Sequence, residues 1–176
     1  MVRTVMYLSK PECYFESVVR IMKSELSGKG IVYVTTNKPY SHLVNLLTKD
    51  GVDVGGIFFI DCISRQILPC VEESDNCIFI ESPHQITSIG IAVSKAIEHL
   101  HGEKALFLDS LSTLLLYNEE KIVGQFSNFM INKMILSDVS SVIMTLSSDM
   151  DKSVIKQIMS FVDEVINYDR CIDTGT

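Results

Sequence analysis

The stretch Lys104-Ala-Leu-Phe-Leu-Asp109-Ser110-Leu-Ser112 joins a continuous apolar run to an acid and two hydroxyls. An apolar run without polar alternation, too short for a helix, predicts a strand covered on both faces. The same construction occurs earlier as Phe58-Phe-Ile-Asp61-Cys-Ile-Ser64. A carboxylate at such a strand end has two readings. It suits the magnesium of a bound nucleotide, reached through water or a neighbouring Ser or Thr. More often such an acid forms a turn or caps a helix.

Outward from these two segments the chain alternates short apolar runs with longer amphipathic ones. Strands are expected at Thr4–Leu8, Ile31–Thr35, Gly56–Asp61, Cys77–Ile80, Ala105–Asp109, Ser141–Thr145 and Val165–Tyr168. The spacing predicts helices over Pro11–Leu26, Pro39–Lys49, Pro83–His101, Asn118–Leu136 and Lys152–Val162. Phe15, Val18, Val19, Met22 and Leu26 share one face of the first helix, while Glu12, Glu16, Arg20 and Lys23 lie largely off it. Residues 62–76 read as irregular, and the Cys77–Ile80 strand as lateral to the main sheet. Two-faced strands separated by helices require a three-layer α/β domain with a mostly parallel sheet. Ligands of such sheets bind beyond the carboxyl ends of the strands. Chemistry is therefore sought after Leu8, Thr35, Asp61, Asp109 and Thr145.

The 176 residues fit a single domain, 1–176, that buries its own core. Hydrophobic residues make up 47% and charged residues 21%, which excludes intrinsic disorder. Lys and Arg total 15 against 22 Asp and Glu, a net charge of −7. A sequence-independent nucleic-acid binder needs a basic surface, so that class is disfavoured. No stretch approaches the roughly 20 apolar residues of a membrane helix. The N-terminus carries no secretory pattern, and the chain reads as cytoplasmic. The cysteines, Cys13, Cys62, Cys70, Cys77 and Cys171, form no Cys-x-x-Cys and read as reduced thiols. Cys62, Cys70 and Cys77 with His84 match no zinc spacing. His42, His84, His99 and His101 read as isolated side chains on helices or helix ends.

In order and spacing the segments resemble the RecA superfamily, and within it the KaiC-like archaeal and bacterial ATPases. Gly30-Ile-Val-Tyr-Val-Thr-Thr-Asn-Lys-Pro39 is similar to that family's second strand and following turn. Ile57-Phe-Phe-Ile-Asp61-Cys-Ile-Ser64 is similar to its "FIDxxS" strand, and Lys104–Ser112 to its Walker B segment. Val142-Ile-Met-Thr-Leu-Ser147 resembles the next strand, and Phe161-Val-Asp163-Glu-Val-Ile166 the "ADxVI" ending. The resemblance spans nearly the whole chain and implies a RecA-like P-loop NTPase fold. It also implies signalling, motility or clock assemblies, often oligomeric.

The chain departs from the family at its first loop. The family pattern Gly-x-Pro-Gly-x-Gly-Lys-Thr faces Ser9-Lys10-Pro11-Glu12-Cys13-Tyr14-Phe15-Glu16 here, and only Pro11 survives. Glycines let backbone N–H groups converge on a phosphate, and the Lys reaches the β- and γ-phosphates. Phe15 stands in place of the Lys and Glu16 in place of the Thr. Glu12 and Glu16 at a helix start satisfy the dipole themselves and repel a triphosphate. After the second strand, where the family carries an acidic pair that activates water, this chain has Asn37-Lys38. Asp109 and Ser110 remain as the remnant of the magnesium side. The expectation is a catalytically inactive, pseudo-ATPase domain without cofactor or metal, acting as a regulatory or scaffolding module on a protein partner or as a homo-oligomer, with a dimer expected. One alternative is a nucleotide-binding KaiC-like ATPase with an atypical P-loop. Another is an enzyme of a different class using Asp61, Asp109 or Asn37. The helix over Asn118–Leu136 carries more apolar surface than one sheet-facing stripe needs, which points to a partner surface or a second buried face.

Overall fold

Strand alternation sorts the core into two layers. On β1 (Thr4–Ser9), Met6 and Leu8 join one buried cluster while Val5 and Tyr7 join the other. On β2 (Gly30–Thr35), Val32 and Val34 oppose Ile31 and Tyr33 in the same way. A period of two on a strand apolar at every position leaves both sheet faces needing cover. The structure, a computed structural model, describes residues 1–168. Its sheet has seven strands, all parallel to their neighbours. The remaining strands are β3 (Ile57–Asp61), β4 (Cys77–Phe79), β5 (Lys104–Asp109), β6 (Val139–Leu146) and β7 (Glu164–Asn167). Their spatial order is β4-β3-β2-β5-β6-β1-β7.

One face is covered by α1 (Tyr14–Ser24) and α2 (Tyr40–Lys49), through Val18, Ile21, Met22, Leu43 and Leu47. The other packs against α4 (Ile86–His99), α5 (Leu111–Tyr117), α6 (Glu120–Leu136) and α7 (Ser153–Met159). α3 (Ser64–Ile67) is a single turn in the segment read as irregular. The expected three-layer parallel α/β architecture is thus present, with two corrections. Cys77–Phe79 is the edge strand of the main sheet, paired in parallel with β3, and not a lateral piece. Leu111–Tyr117 forms a helix of its own before α6.

Loop chemistry closes the units. Gly28 and Gly51 leave α1 and α2 at φ of +79° and +74°, backbone that an L side chain rarely adopts. Asp163 takes the Thr4 backbone N–H at 2.7 Å and returns its own N–H to Thr4, which clamps β7 to the start of β1. Among the described residues no helix is long and apolar enough to cross a membrane. Cys62, Cys70 and Cys77 are free thiols. Cys171 lies outside the described residues.

Phe107 sits at the centre of the α1–α2 layer, without solvent exposure and stacked 4.7 Å from the Tyr33 ring. Phe107→Ala removes that support and is expected to cost about 3–5 kcal/mol in urea unfolding, with an unchanged denaturant slope.

Candidate functional site

Register brings the two strand-end acids to one level. Thr35 pairs with Asp61 on one side and with Asp109 on the other. Both carboxyl groups are buried, Asp61 at 0% and Asp109 at 2% exposure. Burial of a carboxyl without donors is costly, so each must be partnered. They are partnered differently.

Asp61 collects the backbone N–H groups of Ile63, Ser64 and Tyr40 at 2.7–2.9 Å, and the Ser64 hydroxyl at 2.5 Å. It closes the turn after β3 and fixes the start of α2. Its lone pairs are spent on local structure, as the turn-forming reading of strand-end acids expects.

Asp109 takes side chains instead. Tyr14 and Tyr33 each donate a phenol hydrogen bond at 2.6 Å, to Oδ1 and Oδ2 respectively, and the Asn37 amide donates to Oδ1 at 2.9 Å. The pleat explains Tyr33. It pairs with Phe107, so Tyr33, Phe107 and Asp109 share the α1–α2 face. Tyr14 arrives from the first residue of α1, and Asn37 from the turn after β2. Burial holds the Asp109 carboxyl above its ordinary 3.8, against the opposing pull of the three donors and of nearby Lys38. Burial, and then the adjacent carboxylate, push both phenols well above their ordinary 10.0.

The cap role falls to neighbours. Ser110 is the N-cap of α5 and accepts the Thr113 N–H, a role the sequence reading had shared between Asp109 and its serines. Ser112 bonds Thr145 and the Leu146 N–H, tying α5 to the end of β6. Thr36 accepts the Ser110 N–H and donates to the Asp109 carbonyl.

The loop after β1 is wound tight. Pro11–Cys13 form a short 3-10 turn, with the Cys13 N–H on the Lys10 carbonyl, and run directly into α1. Lys10, Pro11 and Glu16 are exposed. Ser9 is buried and shares its hydroxyl with Ser17, which in turn bonds the Cys13 carbonyl. Phe15 packs against the α1–α2 core layer. Of the residues singled out from the sequence, the structure brings Asp109 and Asn37 into contact and keeps Asp61 apart with its own donors. It adds Tyr14 and Tyr33, which the sequence reading left unassigned. Their signal was the pleat for Tyr33, and for Tyr14 a phenol where the loop pattern carries a glycine. Among the described residues no group of three His, Cys, Asp or Glu is placed to hold a metal ion.

A sequence profile for a family of unknown function, DUF7504, matches residues 18–168. The chain belongs to DUF7504. Solved structures similar to this DUF7504 chain include a KaiC-like protein of the hyperthermophilic archaeon Pyrococcus horikoshii OT3. The TM-score is 0.66 at 13% identity, covering 99% of this chain and 74% of the other. A second protein of that organism gives 0.61 at 12% identity, covering 94% and 81%. At such identities the likeness establishes the fold, a KaiC-like and RecA-like parallel α/β sheet. No match to a protein of curated function was found.

Asp109→Ala in this DUF7504 chain strands two phenols and an amide inside the core. It is expected to lower unfolding free energy by about 3 kcal/mol, read by urea denaturation. Unchanged stability would remove the structural role assigned to the cluster. Alkali supplies an independent check. A group whose folded pKa is raised contributes stability that is full below its unfolded pKa and is lost as pH rises through the folded one. For Tyr14 and Tyr33 that loss starts near 10, their ordinary value. Tyr14→Phe should show a shallower decline of thermal midpoint above that pH than the wild type, from a lower starting value.

Proposed function

We propose that this chain is a non-hydrolysing KaiC-like domain that works as a regulatory or scaffolding module through protein contacts. The observation that carries the reading is the hydrogen bond from Tyr14 to Asp109. In the alignment of the first loop, Tyr14 falls on the last glycine of the phosphate-binding pattern, and Asp109 falls on the magnesium-side acid. The phenol of the one is spent on the carboxyl of the other.

The residues around Asp109 do not fit a magnesium nucleotide. A phosphate cradle converges several free backbone N–H groups on one anion. Here Pro11 has no N–H, and that of Cys13 is held by Lys10. Phe15, in the place of the phosphate-binding lysine, is packed on apolar side chains. Both Asp109 oxygens already accept strong donors. Displacing them to bind an ion would strand buried phenols. Asn37 and Lys38, where the water-activating acids would stand, offer no general base at neutral pH.

The test is a thermal-shift titration with ATP, ADP and GTP, with and without magnesium, beside an assay of phosphate release. The expected result is no magnesium-dependent rise in midpoint and no hydrolysis above background. A magnesium-dependent shift would instead support a nucleotide-binding ATPase with an atypical loop. Turnover abolished by Asp109→Asn would overturn the reading outright.

A further inference from the structure

The helix α6 has two apolar stripes, and among the described residues one is buried and the other stands exposed. Val123, Ser127, Met130, Ile131 and Met134 are buried against the sheet and α7. Ile122, Phe129 and Leu136 stand 41%, 59% and 89% exposed. Seven residues are nearly two helical turns, so these three fall within about 20° of one line along the helix. Gln125 and Asn132 fill the intervening positions, giving a short heptad seam with apolar and amide positions in alternation. Beside the seam, an open groove of about 420 Å3 runs between α6 and α4, with Ile91 of α4, 53% exposed, on its far wall.

We infer that this seam is a self-association surface, on which two copies pack antiparallel about a two-fold axis through Phe129. Three observations select a second copy as the occupant. The first is symmetry. Ile122 and Leu136 stand seven residues either side of Phe129, with Gln125 and Lys133 four residues either side. A two-fold contact requires residue i to meet j and j to meet i. Antiparallel copies centred on Phe129 set Ile122 against Leu136 twice and Phe129 against itself.

The second is charge. Residues 121–137 contain no Asp or Glu, in a chain that carries 22 of them and a net charge of −7. Two copies of a net-negative chain repel each other least where the facing surfaces carry few carboxylates. Of the two lysines in this stretch, Lys121 and Lys133, the second is engaged within its own chain: its ammonium bonds the Ser94 hydroxyl and stands 5.7 Å from the Phe129 ring centroid.

The third is area. The exposed parts of Ile91, Ile122, Phe129 and Leu136 amount to on the order of 500 Å2 of apolar surface, at the upper end of what a monomer displays. With the flanking amides of Gln125, Asn128 and Asn132 the face approaches the ~800 Å2 per partner of a stable interface. In the antiparallel arrangement Leu136 of each copy enters the groove beside Ile91 and Ile122 of the other. The inference does not rest on the nucleotide reading.

Sedimentation equilibrium of the full chain at micromolar to high micromolar concentration is the test. The expected mass is twice that of the monomer, and Phe129→Glu should weaken the dimer by about a hundredfold or more. Its thermal midpoint at high dilution should match the wild type, because residue 129 is exposed in the monomer. Leu116→Glu, at a position more exposed than Phe129 but on α5, should leave the dimer intact. Oxidative cross-linking in a background carrying Cys70→Ser and Cys171→Ser reads the geometry. Phe129→Cys should cross-link with itself, Ile122→Cys alone should not, and Ile122→Cys combined with Leu136→Cys should. A monomeric wild type, a dimer indifferent to Phe129→Glu, or self-cross-linking of Ile122→Cys alone would each overturn the inference.

Discussion

A single buried carboxyl joins three parts of this fold that are remote in sequence. Asp109 is bonded by Tyr14, 95 residues away, by Tyr33, 76 away, and by Asn37, 72 away. The start of α1, the middle of β2 and the turn after β2 are thereby fixed to the end of β5. Apolar packing alone specifies which faces meet and tolerates small slides, because dispersion and burial are non-directional. Short hydrogen bonds to a carboxyl are directional, and each contributes more than a neutral pair. The cluster therefore sets how α1 enters its layer, and with it the path of the loop after β1. Burial raises the carboxyl's pKa even so, which means that three donors do not fully replace the water it has lost.

The two strand-end acids show how far a sequence can be read. Asp61 and Asp109 have the same local grammar: an apolar strand, an acid, and serines soon after. The donors of Asp61 include Ile63 and Ser64, two and three residues on, so a local rule for turn formers describes it. Every side-chain donor to Asp109 is distant. No local pattern names them, and the choice between a metal-side acid and a turn former missed the third outcome, a carboxyl held by phenols. Half of that outcome was within reach. Once β2 and β5 are taken as neighbours, the period of two places a tyrosine on the face of Asp109. The other half needed the loop after β1 to be wound tight, which depends on packing around Phe15 and Cys13.

The layer architecture was legible for a different reason. Both sheet faces are covered, so the strands are apolar at every position, and the parallel sheet follows with few alternatives. The errors lie where that logic weakens. Cys77–Phe79 is three residues long, too brief for its pattern to distinguish an edge strand from a separate piece. Leu111–Tyr117 follows the β5 motif so closely that the strand-end serines drew attention from the helix they begin. The surplus of apolar residues on α6 was visible as composition. Its division into a buried stripe and an exposed seam required the burial of each residue.

A site that holds an ion and a site that holds a phenol differ in what controls them. A ligand that binds only the folded state stabilises it by an amount that grows with ligand concentration, so such a domain senses its ligand. Tyr14 is part of the chain and its effective concentration never changes. On the proposed reading, the domain keeps the geometry of a strand-end acid against the start of α1, and loses its dependence on the nucleotide pool. What such a domain can still respond to is whatever meets its outer helices. The exposed seam of α6 lies in the layer opposite the Asp109 cluster, across the sheet, so contacts there can form without disturbing the cluster. A module of this kind would be permanently assembled inside and variable only at its surface, which suits a scaffold better than a motor.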